Sequence, residues 1–438
     1  MNTIATEKIV TDFETQQETK LIFSPEAPNK LEDLDIPHSL VEDLMLRYLY
    51  TKGSSSILGL KKVLKLSFPL LYEIFQQLRQ KQFFEITGME GSDYNFTLSG
   101  IGRETAEKRF KVGHYSGPAP VSLKKYNDAI RTQEVELKVN RQLLKSTFSQ
   151  LVLSDSFLDQ LGPALSSQKP IFIYGPTGNG KTSVASQLSR IYQDSVLIPY
   201  AVEVDGQIIV VYDPVIHERL DCNTNGVDQR WVLCRRPCII SGGELEPNMF
   251  DLKLEESTKV YSAPLQLKAN NGILVIDDFG RQTMSPEILL NRWIVPLDRK
   301  VDYLTLSYGL KFEIPFVTLV VFSTNLDPND LVDEAFLRRI PNKIHSDAID
   351  AEVFDKILYR LISERNIPFQ IGIEEILREL CLNLGASEFR ACYPRDIIDI
   401  IQSISDYEEK PIEINEVNLK RAAKLYFTKP NSVSKQKR

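Results

Sequence analysis

"IFIYGPTGNGKTSVASQL", residues 171–188, is the stretch on which the reading of the chain turns. Four apolar or aromatic residues precede a turn built from Gly175, Pro176, Thr177, Gly178, Asn179 and Gly180, and Lys181, Thr182 and Ser183 open a run with helical spacing. This is the full Gly-x-x-x-x-Gly-Lys-Thr spacing, in the strand-to-helix context that the spacing requires. Glycines let successive backbone N–H groups close around phosphate oxygens, and the start of the helix adds the positive end of its dipole. Lys181 is placed to reach β and γ phosphates and Thr182 to offer its hydroxyl to Mg²⁺, so residues 175–183 are predicted to bind ATP.

About a hundred residues on, "GILVIDDFG", 272–280, reads as a buried strand that ends in two adjacent carboxylates. Asp277 is expected on the hydration shell of Mg²⁺, together with Thr182, and Asp278 is expected to polarise an attacking water. A short carboxylate there can also cap the next turn, and one role does not exclude the other. Around these two motifs, residues 123–345 alternate strands with helices, which implies an α/β domain on a parallel sheet, entered by a helix over 123–147. Residues 346–428 read as mostly helical, and 429–438, "KPNSVSKQKR", as a basic tail.

Further passages make the region from about 150 to 428 similar to the AAA+ ATPases. "VVFSTNL" resembles their sensor-1 strand, which implies that Asn325 orients the lytic water. "DEAFLRRIPNKI" resembles the passage that ends in an arginine finger, so Arg338 or Arg339 is expected to enter the neighbouring subunit's site and neutralise charge on the γ phosphate. "YPRDIIDII" resembles sensor 2 and implies that Arg395 reads the γ phosphate from a C-terminal helical lid. "LVLSDSFLDQLGPAL", 151–165, stands where these proteins cradle adenine. Asp278 is one methylene shorter than the Glu that many members carry, about 1.5 Å less reach. An active but slow ATPase is therefore expected.

Between the carboxylate strand and Asn325, "VDYLTLSYG" and "LKFEIPF" alternate apolar and polar residues around a Tyr-Gly turn, a predicted β-hairpin. A hairpin there, and the layout of 242–278, resemble the MoxR-like, Mg-chelatase and enhancer-binding branches. That resemblance implies a homo-oligomeric ring, a hexamer, whose insertions move with nucleotide state and remodel a protein client in a chaperone-like way. "LIPYAVEVDGQIIVVYDPVIHERL" predicts a second hairpin turning at Asp205-Gly206, as an added β element facing substrate. His217, Cys222, Cys234 and Cys238 form a four-ligand set on paper, but only Cys234 and Cys238 have close spacing, so buried thiols and a surface His are the stronger reading.

Toward the N-terminus, residues 31–112 show three short amphipathic helices, two strands across the loop "GMEGSDY", and a last helix, the order of a winged-helix domain. "YNFTLSGIGRETAEKRF" resembles the wing-to-last-helix passage of bacterial members. This segment holds eleven basic and eleven acidic residues. DNA binding needs several phosphate contacts, and the would-be recognition helix is mostly apolar and Gln. A protein-docking or ring-assembly role is the primary expectation, with an ATP-dependent DNA-binding regulator or replication-type factor as the alternative. Residues 113–122, "GHYSGPAPVS", read as a semi-rigid linker and 1–30 as a flexible leader.

The bulk properties agree with several domains and no coat of nucleic-acid-binding charge: 438 residues with a net charge of −7. Five irregularly spaced cysteines, no basic-then-apolar start and no long apolar run predict a cytoplasmic protein without a transmembrane segment.

Overall fold

The structure, a computed structural model, describes residues 21–427 apart from 92, 223–225, 332 and 385. Its centre is a five-stranded sheet in the order Cys238–Ser241, Gly272–Ile276, Thr318–Thr324, Ile171–Tyr174, Asn342–His345, with every neighbouring pair parallel. Strands buried on both faces carry nearly unbroken apolar runs, as "IFIY" and "GILVI" do. Side chains alternate between the faces. Ile171, Ile173, Val275 and Val321 pack with the helix Asp155–Ser166 on one side, while Phe172, Leu274 and Phe322 meet Phe279 and Trp293 on the other.

A second sheet, which the sequence reading saw only as one hairpin, runs Lys253–Glu255, Val260–Ser262, Gln207–Val210, Ala201–Val204, Val121–Ser122. Its hairpin does turn at Asp205-Gly206, where both φ values are positive, 50° and 76°, as a two-residue turn with the twist of its strands requires. The other predicted hairpin, Val301–Thr305 with Lys311–Pro315, is also present. Its Leu304, Leu306, Phe312 and Ile314 bury in the core of the second sheet. At its tip, Tyr308 donates its hydroxyl hydrogen to Asp205 Oδ2 at 2.6 Å, and Ser307 and Tyr261 share a hydroxyl contact of 2.6 Å. The tip is thus tied to the turn of the other hairpin.

The N-terminal unit follows the expected order, with helices His38–Lys52, Ile57–Leu64, Phe68–Gln80 and Gly100–Val112 around strands Phe84–Glu90 and Asp93–Leu98. Two details differ. Ser54–Ser56 forms a third strand against Asp93–Leu98, and only Ser56 caps the next helix, accepting the Gly59 N–H at 3.0 Å. The predicted loop over 88–94 is mostly ladder: after an irregularity between Ile86 and Gly88, Met89 pairs with Tyr94 and Glu90 with Asp93.

Three boundaries need correction. Residues 113–122 are no free linker, because His114 donates to Thr258 O at 2.8 Å, Ala119 to Leu64 O at 2.8 Å, and Val121–Ser122 joins the second sheet. Of the expected leader, 1–20 lie outside the described residues, whereas 21–30 are docked: Phe23 meets Trp231 edge to face at 5.2 Å and Asp228 donates to Pro25 O at 2.8 Å. The helix expected over 123–147 is split into Leu123–Thr132 and Arg141–Thr147. Gln133 ends the first piece because its buried amide pairs with both backbone groups of Leu197, at 2.6 and 3.1 Å.

Arg230, fully buried, clasps these parts together. It binds Asp228 through Nε and Nη2, Asp35 Oδ1 at 2.7 Å and Pro120 O at 2.9 Å. Beyond the central sheet, Ala351–Arg365, Ile373–Asn383, Cys392–Tyr407 and Glu416–Tyr426 form four helices around Phe354, Leu358, Ile397, Ile401 and Leu419. Thr428 and the basic tail 429–438 lie outside the described residues. Among the described residues, no helix is long and apolar enough to cross a membrane.

Candidate active site

Open parallel sheets bind ligands beyond the carboxyl ends of their strands. Here three adjacent strands end together: Ile171–Tyr174 leads into the phosphate loop, Gly272–Ile276 into Asp277 and Asp278, and Thr318–Thr324, which lies between them, into Asn325. Two hydrogen bonds bind the last two tips to each other: the Phe279 N–H donates to Ser323 O at 2.8 Å and the Thr324 hydroxyl to Phe279 O at 2.7 Å.

Gly175 and Gly178 are required by crowding as well as by handedness, with φ at 135° and 84°. A Cβ on Gly175 would stand 2.5 Å from Ser346 O, and one on Gly178 would stand 2.6 Å from Cys392 Sγ. Within the loop, Lys181 Nζ donates to Gly175 O at 2.9 Å and Pro176 O at 2.8 Å. Burial pushes the Lys181 amine below its ordinary range, and the carboxylates of Asp277 and Asp278 act against that shift. A partly desolvated ammonium held only by carbonyls is a strong partner for phosphate oxygen.

The Thr182 hydroxyl donates to Asp277 Oδ2 at 2.6 Å, so the two oxygens predicted to serve Mg²⁺ are already together. Oxygen donors of this kind suit a hard cation that keeps several waters. Asp278 has a left-handed backbone, φ 49°, which a short polar side chain tolerates, and its N–H donates to Asp277 Oδ1 at 3.1 Å. Neither Asp277 nor Asp278 is spent on a lysine or arginine ion pair among the described residues.

A cleft of about 410 Å³ opens over this arrangement, lined by residues 177–183, Asp277, Asp278, Asn325 and Arg395. Its apolar wall, Leu151, Val152 and Leu153 with Ile357 and Leu361 of the C-terminal helices, falls where an adenine cradle was expected. Arg395 is exposed on the first turn of Cys392–Tyr407. Arg338 and Arg339 do not line this cleft. They line a separate cavity of about 450 Å³ with Gly272 and Thr318, at the opposite ends of the same strands, and Arg339 Nε donates to Asp298 Oδ2 at 2.9 Å.

Sequence reasoning missed Arg390, Cys392 and Asp347, which join the C-terminal region to the phosphate loop. Arg390 Nη1 donates to Thr177 Oγ1 at 3.2 Å, the Cys392 N–H to Gly178 O at 2.9 Å, and Asn179 Nδ2 to Asp347 O at 2.9 Å. No local pattern marks them, since they are defined only by the fold. The four-ligand set is not assembled: His217 Nδ1 accepts the Asp213 N–H at 2.9 Å and Nε2 donates to Lys268 O at 2.9 Å. Burial also pushes the Cys234 thiol up to about 12 and Cys238 up to about 11, away from thiolate.

The matching family is described as a domain of unknown function, DUF8689, over residues 350–425, the span of the four C-terminal helices. No curated protein matches the sequence. Among solved structures, Thermotoga maritima RuvB, described as a Holliday junction branch migration motor, is similar at 12% identity with a TM-score of 0.35, covering 67% of this chain and 72% of that one. NtrX from Brucella abortus is similar at 11% identity with a TM-score of 0.38, covering 74% of this chain and 60% of that one. Likeness this distant carries nothing about activity, and the chemistry rests on the site itself.

Proposed function

We propose that the chain is an ATP-binding and ATP-hydrolysing AAA+ ATPase of the MoxR-like kind, working as a homo-oligomeric ring that remodels a protein client. One observation carries this reading: the phosphate loop, the Thr182–Asp277 pair at 2.6 Å and the second carboxylate, Asp278, meet at one end of a parallel sheet beside Asn325.

In this reading, residues 175–183 wrap the phosphates and Lys181 exchanges its two carbonyl partners for β and γ oxygens. Thr182 and Asp277 would hold Mg²⁺, which supplies charge neutralisation on those phosphates when bound. Asp278 takes the proton of the attacking water as general base, directly or through a second water. The apolar wall at Leu151–Leu153 and Ile357 receives the adenine ring, and Arg395 reaches the γ phosphate from the helical lid.

Arg338 and Arg339 sit at the far ends of the strands, which leaves the neighbouring protomer's cleft as the place where either could act. The N-terminal unit is read as a winged helix that docks protein, in keeping with its zero net charge. Mixing subunits tests the ring. Asp278→Asn and the Arg338→Ala, Arg339→Ala double variant should each be inactive alone, yet regain part of the ATPase rate when mixed, because some interfaces then combine an intact base with an intact finger. Activity in the double variant alone, or no recovery on mixing, would contradict action across subunits.

A further inference from the structure

Asn325 and Arg281 form a pair that the reaction outlined above leaves unexplained. Arg281 follows the two carboxylates by three residues, and its Nε donates to Asn325 Oδ1 at 3.0 Å. The tight turn that carries it there is fixed by the Arg281 N–H donating to Asp278 O at 2.9 Å and by the Gln282 side chain, whose Nε2 donates to Asp277 O at 2.8 Å while its Oε1 accepts the Gly280 N–H at 2.8 Å. Gly280, at φ 92°, holds a left-handed backbone that favours glycine, and a Cβ there would have to displace the tip of Leu331, whose Cδ2 would lie 2.5 Å away.

An amide oxygen accepts through two lone pairs and the NH₂ group donates two hydrogens. The Arg281 guanidinium on Oδ1 fixes which side of the Asn325 amide carries oxygen and leaves Nδ2 as its donor at the cleft that Asn325 lines. A donor can bind a phosphate oxygen, whereas accepting a water's proton would fall to the second lone pair of an Oδ1 already drawn toward a cation. The positive partner also polarises the amide and strengthens its N–H as a donor.

We infer that Arg281 is a positioning residue that fixes the orientation of the Asn325 amide, making Asn325 a donor to the γ phosphoryl oxygens and leaving Asp278 as the acceptor for the lytic water. This rests on the ATPase reading and narrows it, because the sequence-based expectation gave the water to Asn325. No covalent step is added, since the water's proton still goes to Asp278.

The test is steady-state phosphate release by the full-length chain and its Arg281→Met, Arg281→Lys, Asn325→Ala and Arg281→Met/Asn325→Ala variants. Wild-type turnover is established first, and a wild type that releases no phosphate would bring down the ATPase reading itself. Given turnover, Arg281→Met should lower kcat by about ten- to a hundredfold with KM for ATP nearly unchanged, less than the roughly hundred- to thousandfold for removing an aimed donor outright, because the Asn325 amide is still present. Arg281→Lys, which keeps a charged donor, should recover part of that loss. In the Asn325→Ala background the Arg281→Met change should cost little more, because a positioning residue has nothing left to position. Unchanged kcat in Arg281→Met, a loss confined to KM, or an equal loss with and without Asn325 would overturn the inference.

Discussion

Lys181 shows at the scale of one residue how the site is poised. Its ammonium is partly desolvated, which pushes its pKa down, and it is held by two carbonyls of the loop it belongs to. Carbonyls are weaker partners than phosphate, so nucleotide can displace them. Lys181→Met should therefore weaken ATP binding by roughly ten- to a hundredfold, taking about 1.5–3 kcal/mol for a charge-assisted contact. Titration of the variant with ATP checks this, and wild-type affinity in the variant would remove Lys181 from the site. Gly175 and Gly178 belong to the same argument, because the sequence motif names them and the structure supplies the reason, backbone and thiol atoms within 2.6 Å of where a Cβ would stand.

Among the elements, the hairpins follow most directly from local chemistry. Gly206 has φ 76° and open space around its Cβ position, so only handedness demands glycine. Gly206→Ala should cost about 1 kcal/mol, read as a small fall in Tm with ATPase rate unchanged. A loss of several kcal/mol would mean that the turn is more crowded than the structure has it. Asp205-Gly206 was legible because turn chemistry is local, and "IFIY" and "GILVI" were legible because strands buried on both faces are apolar throughout. The Gln133 break in the 123–147 helix was not, because its cause is a backbone segment more than sixty residues away, Leu197. The docked 113–122 segment misled for a related reason: prolines and glycines suit a linker and an irregular buried strand equally well. In the site, Lys181, Thr182, Asp277, Asp278 and Asn325 converge as their motifs suggested, while Arg390, Cys392 and Arg281 act through contacts that no spacing encodes.

Across the whole molecule, the Arg230 cluster is the hinge on which the N-terminal unit is fixed. Burial alone would raise the pKa of Asp35, but Arg230, the Ser122 N–H and Lys125 outweigh it and hold the carboxyl below its usual value. A depressed folded pKa means that this stabilisation is fully present above the unfolded value, near 3.8, and is lost as pH falls through the folded value. Acid should therefore loosen the docking of the N-terminal unit, measured by hydrogen exchange across 31–122, and Asp35→Asn should flatten that acid dependence. Removing the centre of the cluster, Arg230→Ala, should cost about 3–5 kcal/mol, since it strands buried carboxylates. A variant as stable as wild type would show the clasp to be incidental.

In the proposed function, Asp278, at the end of the strand Gly272–Ile276, is the base of a working ATPase. Phosphate release and ATP affinity measured together on wild type and Asp278→Asn test it most directly. The account predicts measurable wild-type turnover with Mg²⁺, and in Asp278→Asn a fall in kcat of at least about a hundredfold with ATP affinity kept within a few-fold. Equal turnover in the two proteins, or no turnover in either, would contradict it.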